Sequence, residues 1–284
     1  MKRKNDVFTV CLTHDVDRVK KTYQYITKFV RNLFMGRFRI AFYHIFSIFS
    51  RTNPYWNFEK IVALEKKYRV KSTFFFLNES IRFILFRPKT WKLSLGRYNI
   101  NNDKMKQVIR WLDKNGFEIG VHGSYNSYKD LNLLRKEKSE LEKVIGHKIY
   151  GIRQHYLNLN EDTWQLQQKA GFRYDASFGF TRDVGFKQDI FHPFNPLNNK
   201  QFNVFPLVIM DFCLMEKKEP KKEYLKIIDL AQKKKAILVL NWHQEIFDER
   251  EHPGYAKVYE EIIIECKKKR GEFKILGEIF NEFN

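Results

Sequence analysis

Cysteine is scarce in this 284-residue chain: Cys11, Cys213 and Cys266 are an odd set with no motif spacing. That excludes a disulfide framework and reads as reduced core residues of a cytoplasmic protein. Long hydrophobic runs are missing as well. The opening MKRKNDVFTV has only a short apolar run before the charged THDVD, so no secretory leader is expected. The stretch Thr22 to Phe49 is interrupted by Lys28, Arg31, Gly36, Arg37 and Arg39, and is too charged to span a bilayer. Acidic residues are few beside basic ones, 33 against 52, for a net charge of +19. Such a field favours acidic partners: nucleic acid, anionic lipid or anionic polysaccharide. Zinc-finger spacing, a basic region with heptads and a stacked-aromatic sheet motif are all lacking, so nucleic acid is not expected. Lysine tracts such as Lys233 to Lys235 and Lys267 to Arg270 suit a solvated surface. Repeats, low-complexity linkers and composition shifts are absent. Residues 1–284 are therefore read as one domain, with 22–56 a basic, aromatic, helical insertion.

What the chain does have is aromatic residues, 16% of the total with 27 Phe, and a regular alternation of strand and helix patterns. Val7 to Leu12 is a short β-branched and aromatic run that predicts a buried strand. Further strands are expected at Lys71 to Leu77, Phe117 to Val121, Ile149 to Arg153, Phe172 to Phe178, Val204 to Asp211 and Ala236 to Asn241. Within the sixth, Pro206 argues for an edge or a bulge. Helical periodicity falls between them, as at Met105, Val108, Ile109 and Leu112. Asn78 to Asn102 reads as irregular, and Thr22 to Phe49 as helical with a break at Gly36. The latter is either packed over the fold or laid on an anionic membrane face. Strand–helix alternation implies a parallel sheet with crossover helices, and such folds carry their chemistry at the carboxyl ends of the strands. Asp15, Asp17, His122, His155, Asp175, Asp211 and His243 all fall at expected strand ends.

In an extended chain, residues i and i+2 point to one side, so Asp15 and Asp17 converge. Two close carboxylates repel unless a proton, a cation or a basic group lies between them. With several imidazoles at neighbouring strand ends, the set suits metal-assisted hydrolysis. A bound ion acidifies water, a free carboxylate takes the proton, and a histidine protonates the leaving group.

The motifs THDVD at Thr13, EIGVHGSYNS at Glu118, GIRQHY at Gly151, YDASFGF at Tyr174 and LNWH at Leu240 stand in the order of a known family. From Val7 to about Pro253 the sequence resembles the polysaccharide deacetylases (NodB-homology, carbohydrate esterase 4), in an Asp-X-Asp variant. The resemblance implies an α/β fold, a distorted and partly open (β/α)7-type barrel. It implies removal of acetyl groups from a polysaccharide or glycan precursor, using a divalent metal, with zinc expected and cobalt or nickel as alternatives. It assigns Asp15 as general base, Arg153 as the group that holds it, Asp175 as the carboxylate that orients the acid, and His243 as general acid. Metal ligands would be Asp17 and His122. The second histidine of the metal pair falls at Asn126, a weaker ligand for zinc. Either Asn126 ligates poorly, or His155, standing where the family usually has proline, replaces it, or the metal is loose or absent; His155 is otherwise structural. Tyr156 and Trp242 are the candidates for substrate contact, Trp242 otherwise filling core. The implied partners are an acetylated sugar polymer or a lipid- or nucleotide-linked glycan, with peripheral contact to an anionic membrane at its inner face. Two rival readings are a non-catalytic glycan-binding scaffold, supported by Asn126, and an amidohydrolase acting on a non-sugar amide.

Overall fold

The computed structural model describes residues 7–198 and 201–283; the basic opening residues 1–6, on which the leader reading drew, lie outside them. The first apolar run extends further than its composition suggested. Strand β1 is Thr9–Val16, so Asp15 lies inside it and Asp17 just past its end. The others are β2 (Ser72–Leu77), β3 (Glu118–Gly123), β4 (Gly151–Gln154), β5 (Tyr174–Asp175), β6 (Asn203–Val204), β7 (Leu207–Met210), β8 (Ile237–Asn241) and β9 (Glu272–Phe273). All pair in parallel in the order β6-β5-β4-β3-β2-β1-β8-β7, with β9 beside the start of β1. The expected α/β architecture is present, with helices in the crossovers.

The sheet's two edges, β6 and β7, are separated by only Phe205 and Pro206. Two residues of chain span roughly 7 Å, so the edges must meet and the sheet must curl into a barrel. The seam is closed by the Leu207 amide donating to the Phe178 carbonyl at 2.8 Å and by a parallel bridge between Gly179 and Leu207. The run Val204 to Asp211, expected as one strand, is therefore two. Pro206 has no amide to give a ladder and stands where the chain passes from one edge of the sheet to the other. Among the described residues the curled sheet has eight strands on its path, in keeping with the distorted, partly open (β/α) barrel that was expected.

Side chains alternate across this wall. Cys11, Phe75, Tyr174, Phe205, Leu207 and Val239 fill the lumen, and the C-terminal helix Leu276–Phe283 plugs the lower end with Leu276, Ile279 and Phe280. The plug is tied to strand starts: the Gly277 amide donates to Glu118 Oε2 at 3.1 Å and Tyr174 Oη to Glu118 Oε1 at 2.7 Å. The opposite faces pack under the helical layer in a larger core that includes Phe8, Val10, Phe74, Phe76 and Leu240. His14, on the outer face, spans this layer between the Trp242 carbonyl (2.6 Å) and Glu65 (2.8 Å), the structural place its alternation predicts. With the bottom plugged, the carboxyl ends of the strands are the open end.

Candidate active site

Asp15 points up the lumen and is fixed from two sides. Arg153 Nη1 donates to Asp15 Oδ1 at 2.9 Å and to Thr13 Oγ1 at 2.7 Å, while its Nε donates to the Ala176 carbonyl at 2.9 Å. Asn241 Nδ2 donates to Asp15 Oδ2 at 2.7 Å, and its Oδ1 accepts the Asp15 amide at 3.2 Å. The Arg153 guanidinium is fully buried and lies over the Phe75 ring, 4.7 Å from its centre. Burial pushes the Asp15 carboxyl up, but Arg153, His122 and His243 outweigh it and hold it below the usual range. Asp15 is thus an ionised, immobilised carboxylate at the floor of a cleft of about 320 Å³.

Asp17, His122 and His155 form a second group whose ligand atoms all lie within 4.8 Å of one another. His122 Nε2 is 3.2 Å from Asp17 Oδ1, and His155 Nε2 is 3.5 Å from Asp17 Oδ2. Asp17 Oδ1 is nevertheless a buried oxygen with no hydrogen-bond partner. In a tetrahedral zinc site with bonds near 2.1 Å, ligand atoms sit about 3.4 Å apart. The donor set and its spacing fit a divalent ion. His122 Nδ1 is 2.9 Å from the Arg153 carbonyl, which fixes the ring so that Nε2 is the free nitrogen. Burial opposes ionisation of Asp17, yet His155 and His122 hold its carboxyl well below the ordinary value. His155 is aimed here by a tight turn in which Tyr156 and Leu157 both adopt left-handed backbone (φ 58° and 54°). Non-glycine residues in that region mark a constrained geometry.

On the other flank, His243 follows β8, and Asp211 follows β7. Asp211 Oδ2 accepts the His243 amide at 2.5 Å and lies 2.8 Å from Nδ1, which leaves Nε2 toward the cleft. Burial lowers the affinity of His243 for its proton, but Asp211, then Asp17 and Asp15, raise its pKa to about 10. The Asp211 carboxylate favours the protonated form of the imidazole. Tyr156, Leu157, Arg182, Met210 and Phe212 line the rest of the cleft, with Tyr156 half-exposed at its rim, its ring tilted against that of His155 with centres 4.3 Å apart.

No family model matches the chain, and no curated protein matches it. Among solved structures, a protein assigned to the polysaccharide deacetylases, from Mycobacterium smegmatis, superposes with a TM-score of 0.59 at 17% identity, covering 100% of this chain and 92% of that one. This chain has the polysaccharide deacetylase fold. A polysaccharide deacetylase from Bacillus cereus (TM-score 0.46, 14% identity, 94% of this chain and 91% of that) and a family 4 carbohydrate esterase from Bacillus anthracis (0.47, 15%, 99% and 86%) are more distant.

Within that deacetylase fold, three sequence candidates stand away from the cleft. Asn126 is exposed at the entry of the turn Ser127–Lys129. The turn is set by the Ser127 amide on the Ser124 carbonyl (3.0 Å) and Ser127 Oγ on Gln154 Oε1 (2.9 Å), and it carries Asn126 outward; His155, not Asn126, stands with Asp17 and His122. Asp175 does not touch His243. It is buried under Trp164 Nε1, Gln167 Nε2 and Ser177, and Ser177 Oγ accepts the Gln154 amide at 2.8 Å. It props the end of β4 from which Arg153 and His155 project, and Asp211 orients His243. Trp242 is fully buried against Tyr259, in the helical layer. Two residues were not among the sequence candidates for the site: Asn241, hidden in an apolar strand, and Asp211, noted only as a polar strand end. The signal for Asp211 was its place after an apolar run two strands from β1.

Proposed function

We propose that this chain is a metal-dependent hydrolase that removes acetyl groups from an acetylated sugar polymer or glycan. One observation carries the reading. A carboxylate held by Arg153 and Asn241, an Asp–His–His donor set and an Asp211-bound imidazolium converge on a single cleft. By strand order, His155 and His122 (β4, β3) lie on one side of the carboxylates of β1, and His243 (β8) on the other.

Asp17, His122 and His155 would hold a divalent ion, zinc by donor type, which when bound supplies Lewis acidity to the acetyl carbonyl and the attacking water. Asp15 takes the proton of that water; its ion pair with Arg153 keeps it ionised and aimed. His243 delivers a proton to the sugar nitrogen or oxygen as the carbon–heteroatom bond breaks, and Asp211 neutralises the imidazolium beforehand. Tyr156 at the rim offers the sugar a ring face.

Protein stripped with chelator and reloaded with zinc, cobalt or nickel should release acetate from N-acetylated or O-acetylated oligosaccharides. Asp15→Asn should keep the metal and lose about 10²- to 10⁴-fold in kcat, the range for one general-base transfer. Asp17→Ala should lose the metal. A chain that binds no metal and releases no acetate under any of the three ions would instead be a glycan-binding scaffold. Turnover confined to non-sugar amides would move it to the amidohydrolases.

A further inference from the structure

Two segments of this chain contain no acidic residue. Arg18 to Asn57 carries eight Lys or Arg, and Ser80 to Asn102 carries five; all 33 Asp and Glu lie elsewhere. Both segments also invert the usual arrangement of apolar side chains. The first builds a hairpin of helices α1 (Gln24–Phe34) and α2 (Phe38–Phe46), turned at Gly36 in left-handed backbone (φ 67°). A surface helix normally buries its apolar stripe. In α1 the stripe Ile26, Val30, Leu33, Phe34 is exposed, and Phe34 shows 88% of its surface to solvent. Phe49 beyond α2 shows 84%, and Phe86 in the second segment 90%.

The root of the first segment is joined to the second. Arg18 Nη2 donates to the Lys92 carbonyl at 2.8 Å, Gly96 lies so close to Thr22 that a Cβ there would come within 2.6 Å of its Oγ1, and Tyr98 Oη donates to the Val16 carbonyl at 2.7 Å. Both leave the carboxyl ends of β1 and β2, beside Asp15 and Asp17. The hairpin is also held at a fixed attitude. Fully buried Lys21 Nζ meets Glu251 Oε1 at 2.5 Å, Lys28 meets Glu251 Oε2 at 3.0 Å, and His44 lies 3.6 Å from the same carboxylate. Glu251 belongs to the loop that follows His243.

We propose that this face docks on an anionic bilayer, with the Phe34, Phe49 and Phe86 side chains entering the acyl boundary and the surrounding Lys and Arg meeting lipid phosphates. The mouth of the cleft is then presented to a membrane-anchored acetylated glycan. Charge decides among occupants. Exposed apolar side chains on segments whose only charged residues are basic match an interfacial anchor. A second copy of the chain would set like charges against each other across a two-fold axis, which is unfavourable. No helix among the described residues is long and apolar enough to cross the membrane, so the contact is peripheral.

The docking stands on its own; the substrate class rests on the deacetylase reading. The full chain is sedimented with vesicles of phosphatidylglycerol and phosphatidylcholine, and with phosphatidylcholine alone. At about 0.1 M salt it should partition to the anionic vesicles at least about tenfold more strongly, and Phe34→Ser/Phe49→Ser/Phe86→Ser should lower that partition by about tenfold or more. If the triple variant loses its circular dichroism signature or melts early, Arg31→Ser/Arg37→Ser/Arg39→Ser/Arg87→Ser tests the electrostatic half in the same way. Equal partition to both vesicle types, or partition unaltered in folded variants, overturns the docking. So does self-association, or binding to duplex DNA, without vesicle binding. With a glycan anchored in the vesicles, the triple variant should lose turnover of the anchored form while keeping kcat/KM on the same glycan free in solution. Vesicle binding with no acetate release from either form would overturn the deacetylase reading and leave the docking intact.

Discussion

Asp15 has every lone pair that matters spoken for except the one facing the cleft. Arg153 and Asn241 take one oxygen each, so the carboxylate loses little entropy when substrate arrives. His243 is prepared in the same manner by Asp211. Asp211→Asn removes the negative charge that raises the His243 pKa. The basic limb of the kcat/KM profile should then move to lower pH, because a general acid is lost once it deprotonates, and kcat should fall roughly 10- to 1000-fold. A profile that keeps its basic limb in place would remove His243 from the acid role.

A different carboxyl carries a stability prediction. Glu137 is buried, and burial together with Glu79 pushes its pKa from 4.5 up to about 8, against the hydrogen bonds from Ser124. The folded chain therefore binds this proton more tightly than the unfolded chain. Its contribution is fully present below pH 4.5 and is lost as pH rises through about 8. Glu137→Gln keeps an acceptor for the Ser124 amide and cannot ionise. The variant should melt close to the parent at pH 4 and above it at pH 8, the gap widening between those values. An equal gap at both pH values would show that the proton is not linked to folding.

At the level of elements, the lumen shows how tightly strands must be matched. Gly151 opens β4 facing Tyr174, and a Cβ there would stand 2.1 Å from the phenol oxygen. Gly151→Ala should overpack the lumen at a cost of about 1–3 kcal/mol, displacing Tyr174 from Glu118. That would lower Tm by about 2–4 °C per kcal/mol, and an unchanged Tm would show that the ring can swing clear. Strands such as Ser72–Leu77 were legible because burial on both faces demands an unbroken apolar run. The run at Val204 was legible as apolar but not as two strands, since closure of a sheet depends on which edges meet. The turn at His155 was opaque for another reason: left-handed backbone at Tyr156 and Leu157 has no glycine or asparagine to announce it.

For the whole molecule, the decisive property is linkage between the donor set and the fold. Asp17 lies past the end of β1, His122 on β3 and His155 past β4, so an ion held there would tie three strand ends together. Metal at about a hundred times its Kd should add about 2.7 kcal/mol to the stability of the folded chain. Differential scanning calorimetry should show Tm rising with zinc, falling back with chelator, and no longer responding in Asp17→Ala. A zinc response that survives in Asp17→Ala would place the ion elsewhere.

The sequence by itself determined the parallel α/β plan, the strand ends where Asp and His gather, the convergence of Asp15 and Asp17, and the strongly basic stretch after β1. All of these follow from local periodicity: the two-residue repeat of a strand, the helical repeat between strands, and charge counted along the chain. It left open whether Asn126 or His155 completes the donor set, and it gave the orientation of His243 to Asp175. Those choices belong to the tertiary structure. Asn126 and His155 follow the neighbouring strands β3 and β4, but a turn locked by Ser124, Ser127 and Gln154 sends one outward while a left-handed turn swings the other in. Asp211 reaches His243 because β7 lies against β8, Met210 opposite Asn241. Proximity across a sheet is set by strand order, and strand order is a property of the folded chain.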